Sequence, residues 1–102
     1  MNGLLFSQAA HEDLLEIWCY IAKDNPDAAD LLEHDIRLEA QTLVALPTLG
    51  HRRQDLTQRD VWFHTVRKHY LLVYRWGEAI EIVRVLHGAR DVAAELDDTS
   101  LF

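Results

Sequence analysis

The chain has little cysteine: Cys19 stands alone among 102 residues. That excludes an intramolecular disulfide and any zinc site built from several thiolates. Long apolar runs are missing too. A stretch such as residues 70–74 (YLLVY) is far short of the ~20 residues that span a bilayer. No basic segment followed by an apolar core opens the chain, so no secretory signal is expected. Two prolines and four glycines are too few for a collagen-like or low-complexity chain, and no internal repeat is visible. Phosphate-binding glycine loops, a G-x-S-x-G elbow and the dinucleotide fingerprint are absent as well. What remains is ordinary globular material, 49% hydrophobic and 26% charged. A chain of this size buries roughly two-thirds of its unfolded surface without a staple. The expectation is one soluble, cytoplasmic domain over residues 1–96, with a flexible acidic tail at 97–102.

The formal charge of −7 is unevenly spread. Residues 1–50 hold nine acids against Lys23 and Arg37, a net of −7. Residues 51–90 hold eight bases against four acids, a net of +4, and residues 91–102 hold four acids and no base. An acidic first half fits the solvated faces of helices. The basic segment is the part suited to an anionic partner, while the overall sign argues against avid, non-specific nucleic-acid binding.

Hydrophobic spacing orders the elements. Leu4, Leu5 and Phe6 suggest a brief strand, and Ser7 is a natural N-cap after it. Ala10, Leu14, Ile17, Trp18 and Ile21 recur at helical spacing, and the helix should end near Asp24 because Asn25 precedes a proline. Asn25 and Pro26 can cap and open a second helix, lined by Ala29, Leu32, Ile36, Ala40 and Leu43 and stopped at Pro47. Residues 47–60 lack any period and read as a loop. Residues 61–66, 70–76 and 79–87 are rich in β-branched and aromatic side chains, with connections short enough for an antiparallel meander. Residues 91–96 could add one terminal turn. The implied class is α+β, in the order β-α-α-β-β-β, with the helical hairpin on one face of an antiparallel sheet.

Chemistry is thinly signalled. His64, His69 and His87, with Arg67, Arg84 and Arg90, lie on or near the strands; histidine can exchange protons near neutrality and arginine can hold a phosphate. Strand-end histidines serve equally well as surface hydrogen bonders, and no paired carboxylate or H-x-x-x-H spacing implies a metal. Trp18 falls in the apolar helical stripe. Trp62 and Trp76, near strand ends, suit either the core or a protein interface. Cys19 suits a small apolar filler.

The residues of 10–21 (AHEDLLEIWCYI), then Asn25-Pro26 with Ala28-Ala29, then residues 46–53 (LPTLGHRR), 70–75 (YLLVYR) and 85–91 (VLHGARD) resemble, in order and spacing, the ParE-type toxins of the RelE/ParE superfamily. The similarity covers about residues 4–92. It implies the same β-α-α-β-β-β architecture and the toxin half of a bacterial type II toxin–antitoxin pair. ParE-type members poison DNA gyrase by binding, without a nuclease centre or cofactor; RelE-type relatives cut mRNA on the ribosome. Trp62 replaces an arginine that many relatives carry near the start of the second strand, and the chain is acidic. Both departures favour the gyrase-directed reading, with a ribonuclease or a degenerate, non-toxic scaffold as alternatives. The expected target contacts are Trp62, His64, Arg67, His87 and Arg90, with Arg90 first and its pairing to Asp91 or the acidic tail as the competing reading. A ParD-like antitoxin is expected on the helical hairpin, at Leu14, Trp18, Leu32 and Ile36, and at Trp76.

Overall fold

Two capping side chains start the long helices. Ser7 Oγ accepts from the Ala10 N–H and opens α1 (Gln8–Ala22), and Asn25 Oδ1 accepts from the Ala28 N–H and opens α2 (Pro26–Ala45), with Pro26 in its first turn. The computed structural model describes residues 3–97. Before α1 comes β1 (Gly3–Phe6); after α2 come a 3₁₀ turn (Pro47–Leu49), β2 (Trp62–Val66), β3 (Tyr70–Trp76), β4 (Ala79–His87) and α3 (Val92–Leu96). Asp97 caps the end of α3, and the rest of the expected tail lies outside the described residues.

The strand order is β1-β4-β3-β2. β2, β3 and β4 form the expected antiparallel meander. β1 joins it parallel to β4, in the register Gly3↔Ala79 to Phe6↔Ile82, so the sheet is mixed. A parallel neighbour needs a crossover of a dozen residues or more, and here the helical hairpin and the meander together supply it.

One face of the sheet carries the hairpin. Leu14, Leu32, Ile36, Ala40 and Leu43 from the helices meet Val66, Leu72, Tyr74, Ile80, Ile82 and Val85 from the strands. The other face is not bare. Val92 and Leu96 of α3, with Leu56 from the long loop, close over Val61, Phe63, Val73, Val83 and Leu86. The loop itself is tied to the sheet by a bridge between His51 and Phe63. The terminal turn is therefore the lid of a second small core.

Two irregularities matter for function. Val73 pairs with Arg84 and Tyr74 with Ile82, leaving Val83 as an extra residue in β4. Such a bulge re-aims the side chains beside it. At the β2–β3 turn, Arg67 (φ 51) and Lys68 (φ 66) both occupy the left-handed region. Asn-Gly is the favoured pair in such a turn, and an ordinary side chain there costs about 1–2 kcal/mol. Lys68→Gly should therefore raise stability by about 0.5–1 kcal/mol after glycine's extra unfolded-state entropy is charged against it. A urea midpoint that stays put or falls would contradict this origin of strain.

Candidate functional site

Helix spacing buries one stripe of each hairpin helix and leaves the residues beside it on the outside. Leu15, Leu31 and Leu38 are 63, 60 and 53% exposed. Leu15 and Trp18 line a groove of about 430 Å³ across α1 and α2, together with His11, Asp30 and Arg37. The Trp18 indole N–H donates to Asp30 Oδ1 at 2.8 Å, which fixes the ring in the groove. The groove is mixed, with Leu14, Leu15 and Trp18 set among the polar and charged side chains of His11, Asp30, Glu33 and Arg37.

Leu14, Leu32 and Ile36, expected at such a surface, are only 4, 3 and 0% exposed. They belong to the core that holds the hairpin to the sheet, and of the three Leu14 also lines the groove. Helical period marks the face that is buried, but not whether a sheet or a partner buries it. Trp18 does reach the groove, whereas Trp76 sits at the far end of β3 with its ring 4.6 Å from that of Trp62. Leu15, which does line the groove, is a large apolar side chain one position off the buried stripe.

The opposite-signed halves of the chain largely neutralise each other across the helix–sheet interface. Arg67 donates to Asp35 of α2, Arg84 to Asp13 of α1 and Arg90 to Glu16 of α1. His64 faces α2 with Nε2 3.6 Å from Glu39 Oε2, and that nitrogen is buried with no hydrogen-bond partner. Arg84 is thus an inner counterpart to the acidic hairpin, whereas Arg67 and Arg90 make their pairs at the surface.

The tightest of these contacts is at Arg84, 7% exposed beside the β4 bulge. Its Nε and Nη2 donate to the two oxygens of Asp13 at 2.7 and 2.9 Å, and Nη2 also donates to Glu95 Oε1 at 3.0 Å. Asp13 accepts further from the Val85 N–H at 2.9 Å. The hydrogen bonds that the guanidinium donates to Asp13 outweigh burial, with Glu95 adding less, and hold its pKa above the ordinary arginine value.

The five expected target contacts do not share one surface. Trp62 and His64 are half-buried on the helix-covered face of β2, with Trp62 toward the Trp76 end. Arg67, His87 and Arg90 gather at the other end. There the Gly88 N–H donates to the His69 carbonyl at 2.7 Å and brings the β2–β3 turn against the end of β4. His87 Nδ1 accepts from the Ala89 N–H at 3.0 Å, and its ring meets Tyr70 edge-on at 5.1 Å and stacks on His69 at 6.2 Å. Among the described residues Arg90 pairs with Glu16 rather than Asp91, and its Nη1 lies 3.8 Å from Glu95 Oε2; the tail beyond Asp97 lies outside the described residues. Between α1 and this end of the sheet runs a second cleft, of about 420 Å³.

Among the described residues no group of three or more His, Cys, Asp or Glu side chains could hold a metal ion, and no helix is long and apolar enough to cross a membrane. The fold and its surfaces define an α+β domain with a helical hairpin on a four-stranded sheet, offering clefts bounded by apolar side chains and paired charges. The family model for the ParE toxin of the type II toxin-antitoxin system, parDE, matches residues 4–92, and the chain belongs to that family. Its fold is similar to that of a chain from a chromosomal ParDE toxin–antitoxin system of P. aeruginosa, with a TM-score of 0.70 and 23% identity. That likeness covers 85% of this chain and 96% of the other. No curated protein matches the sequence significantly.

Proposed function

We propose that this chain is a cytoplasmic ParE-type toxin that inhibits DNA gyrase by binding, performs no chemistry of its own, and is neutralised by a ParD-like antitoxin. The family match over residues 4–92 carries the reading, because it spans every element of the fold except most of α3. The state of the cations supports binding over phosphate chemistry. A ribonuclease of the RelE kind needs an arginine available to the scissile phosphate. Here Arg84 is buried against its carboxylate partners, and Arg67 and Arg90 each pair with a helix carboxylate at the surface. The gyrase-facing surface is the end of the sheet where Arg67, Lys68, His87 and Arg90 meet. The antitoxin's amphipathic helix lies along the hairpin groove, on Leu15 and Trp18.

Purified chain, shown to be folded, should inhibit gyrase supercoiling at near-stoichiometric ratios, and its induction should stop growth with an SOS response. Normal supercoiling at saturating chain would overturn the target. Codon-aligned mRNA cleavage on induction would favour the ribonuclease, and unimpaired growth a degenerate toxin.

A further inference from the structure

Resting on the toxin–antitoxin reading above, we propose that the cleft between α1 and the adjoining ends of β3 and β4 receives an arginine or lysine side chain of the antitoxin. Its apolar walls are Ile17, Tyr20 and Ile21 of α1, with Tyr70 and Val85 of the sheet, around a volume of about 420 Å³. Tyr20 is 74% exposed, unusually open for a large aromatic side chain bordering a cleft. A long basic side chain suits such walls: its methylenes lie on isoleucine while its charged head keeps a polar partner, and tyrosine faces attract the cation.

The charges at the rim select the sign of the guest. Two carboxylates, Asp13 and Glu16, stand against one guanidinium group, Arg90, with His87 the remaining titratable group of the lining apart from the tyrosines; Arg84 and Glu95 lie behind it, paired with Asp13, Arg90 and each other. Asp13 is saturated by Arg84 and the Val85 N–H. Glu16 is different. Its side chain is 62% exposed, its ion-pair partner among the described residues is Arg90, and Arg90 has a second carboxylate within 3.8 Å in Glu95. Glu16 can therefore exchange Arg90 for an incoming cation without leaving Arg90 unpaired. An incoming carboxylate would have to displace Glu16 from Arg90 and then lie beside both lining acids, which is the repulsive arrangement. The net −7 of the first fifty residues adds long-range attraction of the same sign. A partner seated here would also cover His87 and Arg90, so that antitoxin binding and target binding exclude each other.

The probe is the protein encoded by the reading frame adjacent to this chain's, titrated calorimetrically at low and moderate salt against wild type, Glu16→Gln and Arg90→Ala. Both positions are well exposed, so both variants should melt near wild type. Glu16→Gln should weaken binding about tenfold and flatten its salt dependence, whereas Arg90→Ala, which frees Glu16, should bind as tightly or more tightly. Wild-type affinity in Glu16→Gln would overturn the proposal while leaving the toxin–antitoxin reading intact. So would tighter binding by Glu16→Gln together with a loss in Arg90→Ala, since it would mean that the guest is acidic. Failure of the wild-type chain to bind the probe at all would overturn both.

Discussion

Asp13→Ala should remove about 3–5 kcal/mol of stability, the cost of leaving one member of a buried ion pair without its partner. Against the 5–15 kcal/mol typical of a domain, that is a large share, and at about 4–8 °C per kcal/mol it lowers the melting temperature by more than 10 °C. The effect is large because one carboxylate does two jobs. β1 accompanies β4 only as far as Ile82, so the outer edge of β4 from Val83 onward has no neighbouring strand. Ser7 Oγ donates to the Val83 carbonyl and Asp13 accepts from the Val85 N–H, and these side chains stand in for the missing ladder. The same Asp13 holds Arg84, whose side chain is 8% exposed. Alanine would leave the guanidinium to Glu95 and the Val85 N–H to nothing. The group with the shifted pKa is the arginine, and its folded value is raised, so its contribution is fully present below the ordinary arginine range and lost only above it. The deficit should accordingly be equal at pH 6 and pH 9. Urea denaturation of Asp13→Ala, Arg84→Met and the double variant provides the check. The double loss should be well below the sum, and a single-variant loss under about 1 kcal/mol would contradict the role assigned to the pair.

That pair also marks where sequence reading stopped. The helices were legible because their signals are local: Ser7 and Asn25 cap within three residues, and the apolar stripes repeat every three or four. The meander was legible from its β-branched and aromatic runs and short turns. The parallel docking of β1 was not, since Leu4 and Phe6 specify a buried face but no neighbour. Nor was the bulge at Val83, which interrupts no visible pattern in residues 79–87. The charge imbalance was correctly located but assigned to two outward surfaces, because Asp13 and Arg84 are 71 residues apart and composition carries no pairing. Arg90 was rightly linked to an acid, yet the acids that reach it are Glu16 and Glu95, brought there by α1 and α3.

Gly50→Ala should cost about 2–4 kcal/mol, and space alone demands it. The backbone of Gly50, at φ −81, is one any residue can adopt. An added Cβ, however, would overlap Tyr74 Oη and come within 2.6 Å of the Phe63 carbonyl oxygen. Neither can yield cheaply. Phe63 is fixed by its two hydrogen bonds with His51, at 2.7 and 2.8 Å. Tyr74 is fully buried; its hydroxyl donates to the Pro47 carbonyl at 2.5 Å and accepts from the Gly50 N–H at 3.0 Å, clamping the chain as it leaves α2. Overpacking of about 1–3 kcal/mol and a lost hydrogen bond of about 1 kcal/mol give the estimate. Removing the hydroxyl takes away the shortest of these contacts and leaves that with the Phe63 carbonyl, so Gly50→Ala on a Tyr74→Phe background should cost less than on wild type but still destabilise. The clamp has an alkaline signature as well. Burial raises the Tyr74 pKa above 10, with the Gly50 N–H offsetting part of the rise. The unfolded tyrosine ionises first, so the stability this group supplies is present below pH 10 and falls as pH climbs from 10 toward the folded value. Wild type should therefore lose stability between pH 9 and pH 11 more steeply than Tyr74→Phe. Equal slopes, together with additive losses in the double variant, would show that Gly50 and Tyr74 act independently.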